Sequence, residues 1–413
     1  MTPSHKKPKL VILGTGFGAF SIIKQIDTRL FDVAVVSPRN HFLFTPLLAS
    51  TTVGTIEFRS IIEPVRSARP EISYYHAHCQ GIDTKKRTIR CKGVLENRSF
   101  SLPYDYLVIS VGGVSSTYNV PGVREYALFI KDLADARNIR QRIIECLERA
   151  SQPNIKPGER KRLLHFVVVG GGPTGVELLA EMHDFVIDDL KKSFPGVVND
   201  VRLTLLEATG EILGTFDEVL RAYTLRLFAR QRIDVRTKSP VVRIEPGRII
   251  LRDKTKIPCG LVVWSTGIGP TSLVALLKVK KDTASRIIVD EHLRMVGHPG
   301  VFALGDCSSV IGKNFPATAQ VAQQQGKYLA GALKRYAEHK PVEPFQYRSY
   351  GMLAYIGAGK ALADLERIKG RGFAAWIFWR SVYITRLVSV KNKILVIFDW
   401  VKTFLFGRDI SRF

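Results

Sequence analysis

Two glycine-rich loops, each directly after a short apolar run, constrain the fold of this chain more than any other feature. The first, Gly14-Thr15-Gly16-Phe17-Gly18-Ala19, follows residues 10–13, and the second, Gly170-Gly171-Gly172-Pro173-Thr174-Gly175, follows residues 166–169. In a G-x-G-x-x-G/A loop between a strand and a helix, the first glycine makes the turn and the second lets the backbone approach a pyrophosphate. The third small residue lets the helix pack on the strand. Each loop therefore predicts a dinucleotide site at a helix N-terminus.

The segments around both loops indicate a duplicated strand–helix–strand unit. A helical stretch after the first loop reaches Ile26, and further strands are predicted at residues 33–36, 107–111, 201–206, 262–264 and 301–304. This alternation is typical of a parallel sheet with helices on its faces, so the predicted fold class is α/β with two Rossmann-like dinucleotide-binding domains. Residues 151–162 are polar and contain proline, which predicts a linker or a domain boundary.

Length, charge and hydropathy bound the number of domains and the kind of partner. A chain of 413 residues with 46% hydrophobic residues fits two or three domains with a sizeable core. The formal net charge of +24 favours a polyanionic partner, either nucleic acid or an anionic membrane surface. The basic first nine residues contain no signal-peptide core, and no apolar run of about 18 residues predicts a membrane-spanning helix.

The cysteines show no spacing that indicates a shared function. The five are Cys79, Cys91, Cys146, Cys259 and Cys307. Their odd number and the lack of a C-x-x-C pair argue against a disulfide framework, a zinc site or a dithiol redox centre. We interpret them as reduced, buried thiols, and no metal site is predicted.

The two predicted nucleotide sites differ at the end of the second strand, where an acid usually accepts the ribose hydroxyls. After the first loop the chain reads Ser37-Pro38-Arg39-Asn40, so Ser37 is the candidate for a ribose hydroxyl and Arg39 for phosphate or adenine. After the second loop Glu207 stands at this point. Its carboxylate would repel a 2′-phosphate, which favours NADH over NADPH. A polar helical insertion, residues 182–192, accounts for the long separation from Gly170.

Two further features point to a flavin and to a polar acceptor. Gly305-Asp306 follows an apolar strand, and the aspartate could bond the polyol hydroxyls of a flavin side chain. Residues 318–334 are predicted to form a helix on which Gln320 and Gln324, four residues apart, share a face. An amide both donates and accepts, so this pair could meet a quinone oxygen without charge. The alternative is a solvated polar surface.

These motifs together resemble the type II NADH dehydrogenases, the alternative NADH:quinone oxidoreductases that do not pump protons, in their mitochondrial-type branch. The resemblance is carried by residues 37–48 (SPRNHFLFTPLL), 319–326 (AQVAQQQG), 379–400 and 406–409, and it spans nearly the whole chain. It implies a glutathione-reductase-like flavoprotein architecture and a homodimer. In that branch the missing acid after the first loop is usual.

The resemblance implies an enzyme in which hydride passes from NADH to FAD and two electrons then reduce a membrane quinone, ubiquinone or menaquinone, to quinol. The implied catalytic residues are Glu177, near the nicotinamide and the flavin, and Gln320 and Gln324, at the quinone end. FAD would be bound by Gly14, Thr15, Gly16, Phe17, Gly18, Ser37, Pro38, Arg39, Pro46, Gly112, Gly305, Asp306, Ala319 and Gln320. NADH would be bound by Gly170, Gly172, Pro173, Thr174, Gly175, Glu177, Glu207, Thr266 and Gly267.

The last fifty residues interleave aromatic and basic side chains and are expected to contact a membrane. Helices predicted at residues 373–390 and 394–406 would lie in the membrane interface rather than cross it. Trp376, Trp379 and Trp400 would sit at headgroup depth, and Arg380 would meet anionic lipid. The alternative is a buried dimerisation face. We expect an FAD-binding domain of residues 1–160 and 286–345, an NADH-binding domain of residues 161–285 and a membrane-anchoring region of residues 346–413.

The expected location is the cytoplasmic face of a bacterial inner membrane, because no long presequence is present; the mitochondrial inner membrane is the alternative. Three other functions are weighed against quinone reduction. They are a sulfide:quinone reductase-like protein, an NADH-dependent flavoprotein with another acceptor, and a nucleotide-sensing DNA-binding flavoprotein. Disulfide reductases need a cysteine near the flavin, and residues 41–60 contain none. The spread of the charge and the aromatic tail argue against nucleic acid as a partner.

Overall fold

The computed structural model describes residues 7–411 of the chain, which form two compact units. Unit one comprises Met1–Leu43, Ile62–Val114 and Ile268–Ser349. Unit two comprises Phe44–Ile61, Ser115–Gly267 and Tyr350–Phe413. The outermost ends of the predicted first and last domains, residues 1–6 and 412–413, lie outside the described residues.

Unit one is built on a seven-stranded sheet in which the first five strands of the spatial order run parallel and the last two are antiparallel. The spatial order is Val301–Ala303, Tyr106–Ile109, Lys9–Leu13, Asp32–Ser37, Ser73–Asp83, Thr88–Gly93 and Ser99–Pro103. The apolar strand Lys9–Leu13 is buried at the centre, as a strand covered by helices on both faces must be. The first glycine loop follows it directly.

The remaining strands of unit one form three two-stranded pairs. They are His41–Leu43 with Ile62–Pro64, Gly113–Ser115 with Ile268–Pro270, and Ile287–Val289 with Ser308–Val310. The helices are Phe17–Gln25, Val65–Ala68, Ser272–Leu276 and Ala319–Ala337, with a short 3₁₀ turn at Gly305–Cys307. The two long ones, Phe17–Gln25 and Ala319–Ala337, pack closely against each other.

Unit two repeats the parallel arrangement in a five-stranded sheet and adds two antiparallel three-stranded sheets. The parallel sheet has the order Leu128–Phe129, Leu261–Trp264, His165–Val169, Arg202–Leu206 and Asp234–Arg236. One antiparallel sheet is Val241–Glu245, Arg248–Leu251 and Lys256–Pro258, and the other is Met352–Gly357, Lys360–Asp364 and Lys369–Gly372. The second glycine loop follows the central parallel strand His165–Val169, which is buried along its whole length.

The helices of unit two include both helices of the C-terminal segment. The α-helices are Leu48–Thr52, Val123–Tyr126, Leu133–Ala150, Pro157–Leu163, Pro173–Phe185, Lys191–Ser193, Glu218–Arg230, Phe373–Arg386 and Val390–Phe406. A π-helical turn spans Val186–Leu190, and 3₁₀ turns span Thr45–Leu47, Phe58–Ile61 and Val198–Asp200. Within residues 7–411, we find no helix with both the length and the apolar character needed to cross a membrane.

The predicted strands and the predicted helix at residues 318–334 are present within a few residues of their expected bounds. The prediction of a linker at residues 151–162 is wrong in its second half, because Pro157–Leu163 is helical. Pro157 occupies the first turn, where a proline needs no amide hydrogen, and Leu163 is buried. The two tail helices are separated at residues 387–389, and the Ser389 side chain caps the second helix by accepting from the Asn392 N–H.

Candidate functional site

The first glycine loop has the backbone geometry that a pyrophosphate site requires. Gly14 has φ +107°, and its N–H donates to the Val36 carbonyl at 2.9 Å. A Cβ atom on Gly14 would lie 2.3 Å from the Ser110 carbonyl oxygen, so no other residue fits here. Gly16 begins the helix Phe17–Gln25, and the space beside its Cα is open. Phosphate can therefore approach the N–H groups of this helix terminus.

A buried hydroxyl network links the loop to the end of the second strand. The Thr15 Oγ1 lies 3.2 Å from the Ser37 Oγ and donates to the Arg39 carbonyl at 3.0 Å. The Arg39 N–H in turn donates to the Ser37 Oγ at 3.1 Å. The His76 Nε2 lies 2.9 Å from the Pro38 carbonyl oxygen. Ser37 therefore shapes this end of the strand, in addition to its predicted contact with a ribose.

The Gly305-Asp306 turn lies beside the helix Ala319–Ala337. The Gly305 N–H donates to the Gln325 Oε1 at 2.7 Å, and Gln325 is buried. A pocket opens here, lined by both Asp306 and Gln325. A carboxylate at such a pocket suits the hydroxyls of a polyol chain.

Gly326 on the same helix fits closely against the helix of the first loop. A Cβ atom on Gly326 would lie 2.3 Å from the Gly18 carbonyl oxygen, and one on Gly18 would lie 2.1 Å from the Leu304 Cδ1. The glycine of the AQVAQQQG element is therefore a helix-packing residue. The predictions named neither Gln325 nor Gly326, although the element that contains them was recognised.

Gln320 and Gln324 share a face of this helix, as predicted, and both bond to the segment around residue 348. The Gln320 Oε1 accepts from the Tyr347 hydroxyl at 2.8 Å. The Gln324 amide pairs with the Arg348 backbone, donating to its carbonyl at 2.8 Å and accepting from its N–H at 3.0 Å. The two amides thus hold one extended segment in place, which sequence reasoning did not foresee.

The second glycine loop reproduces the geometry of the first. Gly170 has φ +113°, its N–H donates to the Leu206 carbonyl at 2.8 Å, and a Cβ atom would lie 2.3 Å from the Ser265 carbonyl oxygen. Gly172 begins the helix Pro173–Phe185 beside open space. A Cβ atom on Gly175 would lie 2.0 Å from the Gly170 carbonyl oxygen, so this glycine lets the helix close onto the loop.

Glu207 stands at the end of the strand Arg202–Leu206 and reaches the second loop. Its Oε2 accepts from the Gly171 N–H at 2.7 Å, and its Oε1 accepts from the Thr209 N–H at 2.7 Å. Each carboxylate oxygen has a further lone pair, so ribose hydroxyls can still be accepted. The two backbone donors hold the Glu207 carboxylate against the second loop.

Thr266 and Gly267 lie at the end of the strand Leu261–Trp264, against residue 116. The Thr266 hydroxyl and the Trp264 indole N–H both donate to the Ser116 carbonyl, at 3.1 and 2.8 Å. The Gly267 carbonyl accepts from the Ser116 N–H at 3.2 Å. These predicted NADH residues thus belong to the same edge of the parallel sheet as the second loop.

The other residues implied by the resemblance lie at helix starts and in turns. Phe17 opens the first helix, and its ring packs edge-on against Phe42 with centroids 5.0 Å apart. Pro173 and Thr174 open the second helix and are exposed. Gly112 follows the strand Tyr106–Ile109 in unit one, while Pro46 lies in a 3₁₀ turn of unit two.

Glu177 is a partly buried acid one turn into the helix Pro173–Phe185. Its Oε1 accepts from the Tyr355 N–H at 3.0 Å. Burial raises the pKa of Glu177 to about 8, and the nearby Glu181 carboxyl acts in the same direction while the Tyr355 N–H opposes it. A carboxyl with this pKa holds a proton near neutral pH and can release it, which suits general acid–base work.

Three more acids on the same helical segment are hydrogen-bonded or ion-paired to residues elsewhere in unit two. The Glu181 carboxylate accepts from the Ser50 and Thr55 hydroxyls at 2.5 and 2.9 Å. Arg408 bonds Asp189 at 2.7 Å and lies 3.9 Å from Glu181. Although burial opposes its charge, these acids hold the pKa of Arg408 above its usual value. The Asp184 carboxylate accepts from the Tyr355 hydroxyl at 2.5 Å.

Two of the three tryptophans that were expected at the depth of the lipid headgroups are buried in the protein. Trp379 and Trp400 are only 3% and 7% exposed. Trp379 packs against Tyr355 and Tyr383, with ring centroids 5.6 and 4.7 Å apart, because stacked aromatic rings bury a large apolar area.

Arg380 occupies a cage between two of these indoles. Its guanidinium carbon lies 3.9 Å from the Trp376 ring centroid and 4.4 Å from that of Trp400. Burial lowers the pKa of Arg380 to about 10. The exposed apolar residues of the tail are Phe373, Ile377, Phe378, Val390, Ile394, Ile397, Phe398, Val401, Phe404, Leu405 and Phe406.

Comparison with known families gives two matches that together span most of the chain. The family described as pyridine nucleotide-disulphide oxidoreductase matches residues 8–326. The family described as NDH2 C-terminal domain matches residues 350–409. The first match contains both glycine loops, and the second contains the tail helices and Arg408.

Similar proteins agree with these families. A probable NADH dehydrogenase of Dictyostelium discoideum is 47% identical over 411 residues, covering 98% of this chain and 91% of the relative. An internal alternative NAD(P)H-ubiquinone oxidoreductase A1, mitochondrial, of Arabidopsis thaliana is 42% identical over 444 residues, covering 100% of this chain and 87% of the relative. The solved structure of NDH2 from Plasmodium falciparum in complex with NADH matches with a TM-score of 0.93 and 28% identity, over 98% of this chain and 100% of that chain.

Proposed function

This chain belongs to the pyridine nucleotide-disulphide oxidoreductase family and carries the NDH2 C-terminal domain, and we propose on that basis that it is an NADH:quinone oxidoreductase. It is an enzyme whose cofactors are FAD and NADH and whose electron acceptor is a quinone. The observation that carries this conclusion is the identity of 47% and 42% to relatives named as NADH dehydrogenase and ubiquinone oxidoreductase, along nearly the whole chain. These findings do not favour the sulfide:quinone, alternative-acceptor or DNA-binding functions.

We assign the first loop to FAD and the second to NADH. Open space beside Gly16 and Gly172, at two helix N-termini, fits the phosphates of two dinucleotides. Asp306 fits the flavin polyol, and Glu207 fits the ribose hydroxyls of NADH. Bound FAD supplies the redox chemistry by which two electrons pass from NADH to the quinone, and the protein supplies binding, orientation and exclusion of water.

We assign proton handling to Glu177 and quinone positioning to the glutamine pair. The raised pKa of Glu177 lets it carry a proton that quinone reduction consumes. The Gln320 amide is our candidate for a quinone oxygen. Gln324 is assigned a positioning role, because the NH₂ group and the oxygen of its side-chain amide both already bond the Arg348 backbone. We keep the assignment of residues 1–160 and 286–345 to FAD, 161–285 to NADH and 346–413 to membrane contact as a proposal, although residues 44–61 and 115–160 belong to unit two by their contacts.

We further propose that the tail helices contact a membrane through exposed apolar side chains. Phe404 and Phe406 are 87% and 83% exposed, which is unusual for phenylalanine in a folded protein. The positive net charge of the chain would attract anionic lipid. The Arabidopsis relative is named mitochondrial, which favours the mitochondrial inner membrane over the bacterial one. A homodimer face is the competing use of these side chains.

An anaerobic flavin experiment tests the reaction. The purified protein is mixed with NADH, the oxidised-flavin absorbance is followed, and a short-chain ubiquinone is then added. We expect bleaching by NADH and recovery with ubiquinone. Bleaching without recovery would exclude a quinone as acceptor, and no bleaching in a protein that holds FAD would overturn the oxidoreductase assignment.

Flotation with vesicles tests the membrane contact separately. Wild-type protein should float with vesicles that contain anionic lipid, and the variant Phe404→Ser/Phe406→Ser should float less. A variant that floats like wild type but no longer dimerises would assign these residues to a dimer face.

A further inference from the structure

Two cysteines lie opposite each other on adjacent antiparallel strands of unit one. The strands are Ser73–Asp83 and Thr88–Gly93, and their register pairs Cys79 with Cys91. Directly opposed residues of an antiparallel pair point to the same face of the sheet. The register is interrupted by a bulge only beyond this pair, between Cys79 and Gly81. The two thiols therefore face each other although no C-x-x-C spacing announces them.

The hydrogen-bond pattern shows which kind of opposed pair they form. The Val94 N–H donates to the His76 carbonyl at 3.1 Å, which brackets the pair Ala77–Gly93 as a non-hydrogen-bonded one. Because the two kinds alternate along the ladder, Cys79 and Cys91 also form a non-hydrogen-bonded pair. In such pairs the Cα atoms are about 4.5 Å apart, the closest approach that a sheet offers. That separation falls inside the range of roughly 4.4–6.8 Å over which a disulfide can close.

The two thiols differ in access and in acidity. Cys79 is partly exposed, whereas Cys91 is only 1% exposed. Contact with the Cys91 thiol holds the pKa of Cys79 below its usual value, and the Arg90 guanidinium acts in the same direction, while burial opposes them. The same contact, together with burial, raises the pKa of Cys91. The accessible sulfur is therefore the one that carries thiolate character, and the buried one keeps its proton.

We propose that Cys79 and Cys91 form a peroxide-oxidisable dithiol, with Cys79 as the attacking sulfur and Cys91 as the resolving one. The Cys79 thiolate attacks one oxygen of hydrogen peroxide, the O–O bond breaks, and hydroxide leaves behind a sulfenic acid. The Cys91 sulfur then attacks the Cys79 sulfur, and the sulfenic oxygen leaves as water with the Cys91 proton. Peroxide gains two electrons and the two thiols lose two, which leaves one disulfide. This inference does not depend on the proposed function.

The other three cysteines provide an internal comparison. Cys146, Cys259 and Cys307 are buried, and burial raises their pKa values to about 11, 12 and 12. A thiol with a raised pKa and little access reacts slowly with peroxide. The proposal therefore predicts oxidation at one pair of the five cysteines and none at the rest.

Thiol counting and peptide mapping of the full-length flavoprotein test the proposal. The reduced protein is treated with hydrogen peroxide, denatured, alkylated and digested without reductant. We expect the number of alkylated cysteines to fall from five to three, one cross-linked peptide pair that contains Cys79 and Cys91, and full recovery after dithiothreitol. Five alkylated cysteines after excess peroxide, or a disulfide that joins any other pair, would overturn the proposal.

Two single variants separate the roles of the sulfurs. In Cys91→Ser the sulfenic acid on Cys79 has no resolving thiol, so labelling by dimedone should rise about tenfold over wild type. In Cys79→Ser the buried Cys91 should stay reduced under the same treatment. Equal dimedone labelling of wild type and Cys91→Ser would refute resolution by Cys91. Flavin content and circular dichroism of each variant confirm that it is folded before labelling is compared.

Discussion

The two glycine loops use the same backbone chemistry but are supported in different ways. In both, the first glycine is left-handed, its N–H caps the neighbouring strand, and a carbonyl oxygen would lie 2.3 Å from an added Cβ atom. The helix of the first loop, Phe17–Gln25, carries no acid and rests on the close glycine contact with Gly326. The helix of the second loop carries buried acids that are satisfied by hydroxyls and by Arg408.

This difference separates what a dinucleotide site must share from what an individual site adds. Phosphate recognition needs only backbone N–H groups and a helix terminus, so it repeats. The residue after the second strand does not repeat, since Ser37 stands in one unit and Glu207 in the other. The second helix also carries a titrating acid, Glu177, one turn from its nucleotide loop, whereas the first helix carries no acid.

Replacing Arg408 should have the largest effect on stability, because the ion pairs of Arg408 with buried acids stabilise only the second helix. Arg408→Met would leave Glu181 and Asp189 buried without a cation, which costs roughly 3–5 kcal/mol of unfolding free energy. Thermal and urea unfolding measure this loss. The matched control is Arg367→Met, an exposed arginine of the same C-terminal segment, for which we expect a change within about 0.5 kcal/mol. If Arg408→Met lowers the free energy of unfolding no more than Arg367→Met does, the buried acids do not need Arg408 as a partner.

Replacing the first glycine of each loop by alanine should weaken the binding of one cofactor and leave the other bound. Gly14→Ala forces a Cβ atom against a carbonyl oxygen, so we expect protein without FAD. Gly170→Ala should keep FAD but raise the KM for NADH about 100-fold, since each tenfold change costs about 1.4 kcal/mol and strain of this kind costs a few. Flavin absorbance and steady-state kinetics measure these losses.

The second glycines provide the control for this pair. Gly16→Ala and Gly172→Ala add a Cβ atom where the protein leaves open space, so the fold should be unchanged and only the ligand should be affected. Loss of folding in these variants would show that the open space belongs to the protein rather than to a dinucleotide. Loss of FAD in Gly170→Ala would reverse the assignment of the two loops.

Neutralising Glu207 should change nucleotide choice without changing flavin content. Glu207→Gln removes the charge that repels a 2′-phosphate. It keeps only part of the hydrogen bonding from the Gly171 and Thr209 N–H groups. We expect the NADH/NADPH ratio of kcat/KM to fall about 30-fold, which corresponds to about 2 kcal/mol. Ser37→Ala is the matched change in the other unit and should leave the ratio unaltered. An unchanged ratio in Glu207→Gln would contradict the assignment.

The geometry that the two glycine loops share could be predicted from the sequence, because it depends on residues that are close together in the chain. A turn that admits only glycine, between an apolar run and a helix, is a short-range pattern, and both Gly14 and Gly170 were found through it. Glu207 was identified because it directly follows the next apolar strand, Arg202–Leu206. The tail helices were predicted from their amphipathic pattern, with a boundary error where Ser389 caps the second one.

The supporting contacts could not be predicted because they join residues that are far apart in the chain. Nothing in the pattern around residue 408 indicates that its guanidinium meets Asp189. The same is true of the bond between Gln325 and the Gly305 N–H. The pairing of Cys79 with Cys91 is closer in the chain, but it depends on a strand register that the residue pattern does not define. Burial of Trp379 depends likewise on packing between helices and a sheet that only the fold determines.

Glu177 sharpens the comparison through pH, because only the second helix carries a titrating acid. Its pKa of about 8 lies above the ordinary carboxyl value, so the stability that the protonated form contributes is fully present below about pH 4.5 and is lost as pH rises through 8. If the protonated form serves quinone reduction, ubiquinone-dependent flavin reoxidation should fall up to tenfold per pH unit above about 8. In Glu177→Gln the rate should be lower at neutral pH, by about tenfold, and independent of pH across this range. Stopped-flow reoxidation between pH 6 and about 9.5 distinguishes the cases. A Glu177→Gln profile that still bends near pH 8 would place the titrating group elsewhere, and a flat wild-type profile would remove Glu177 from the proton path.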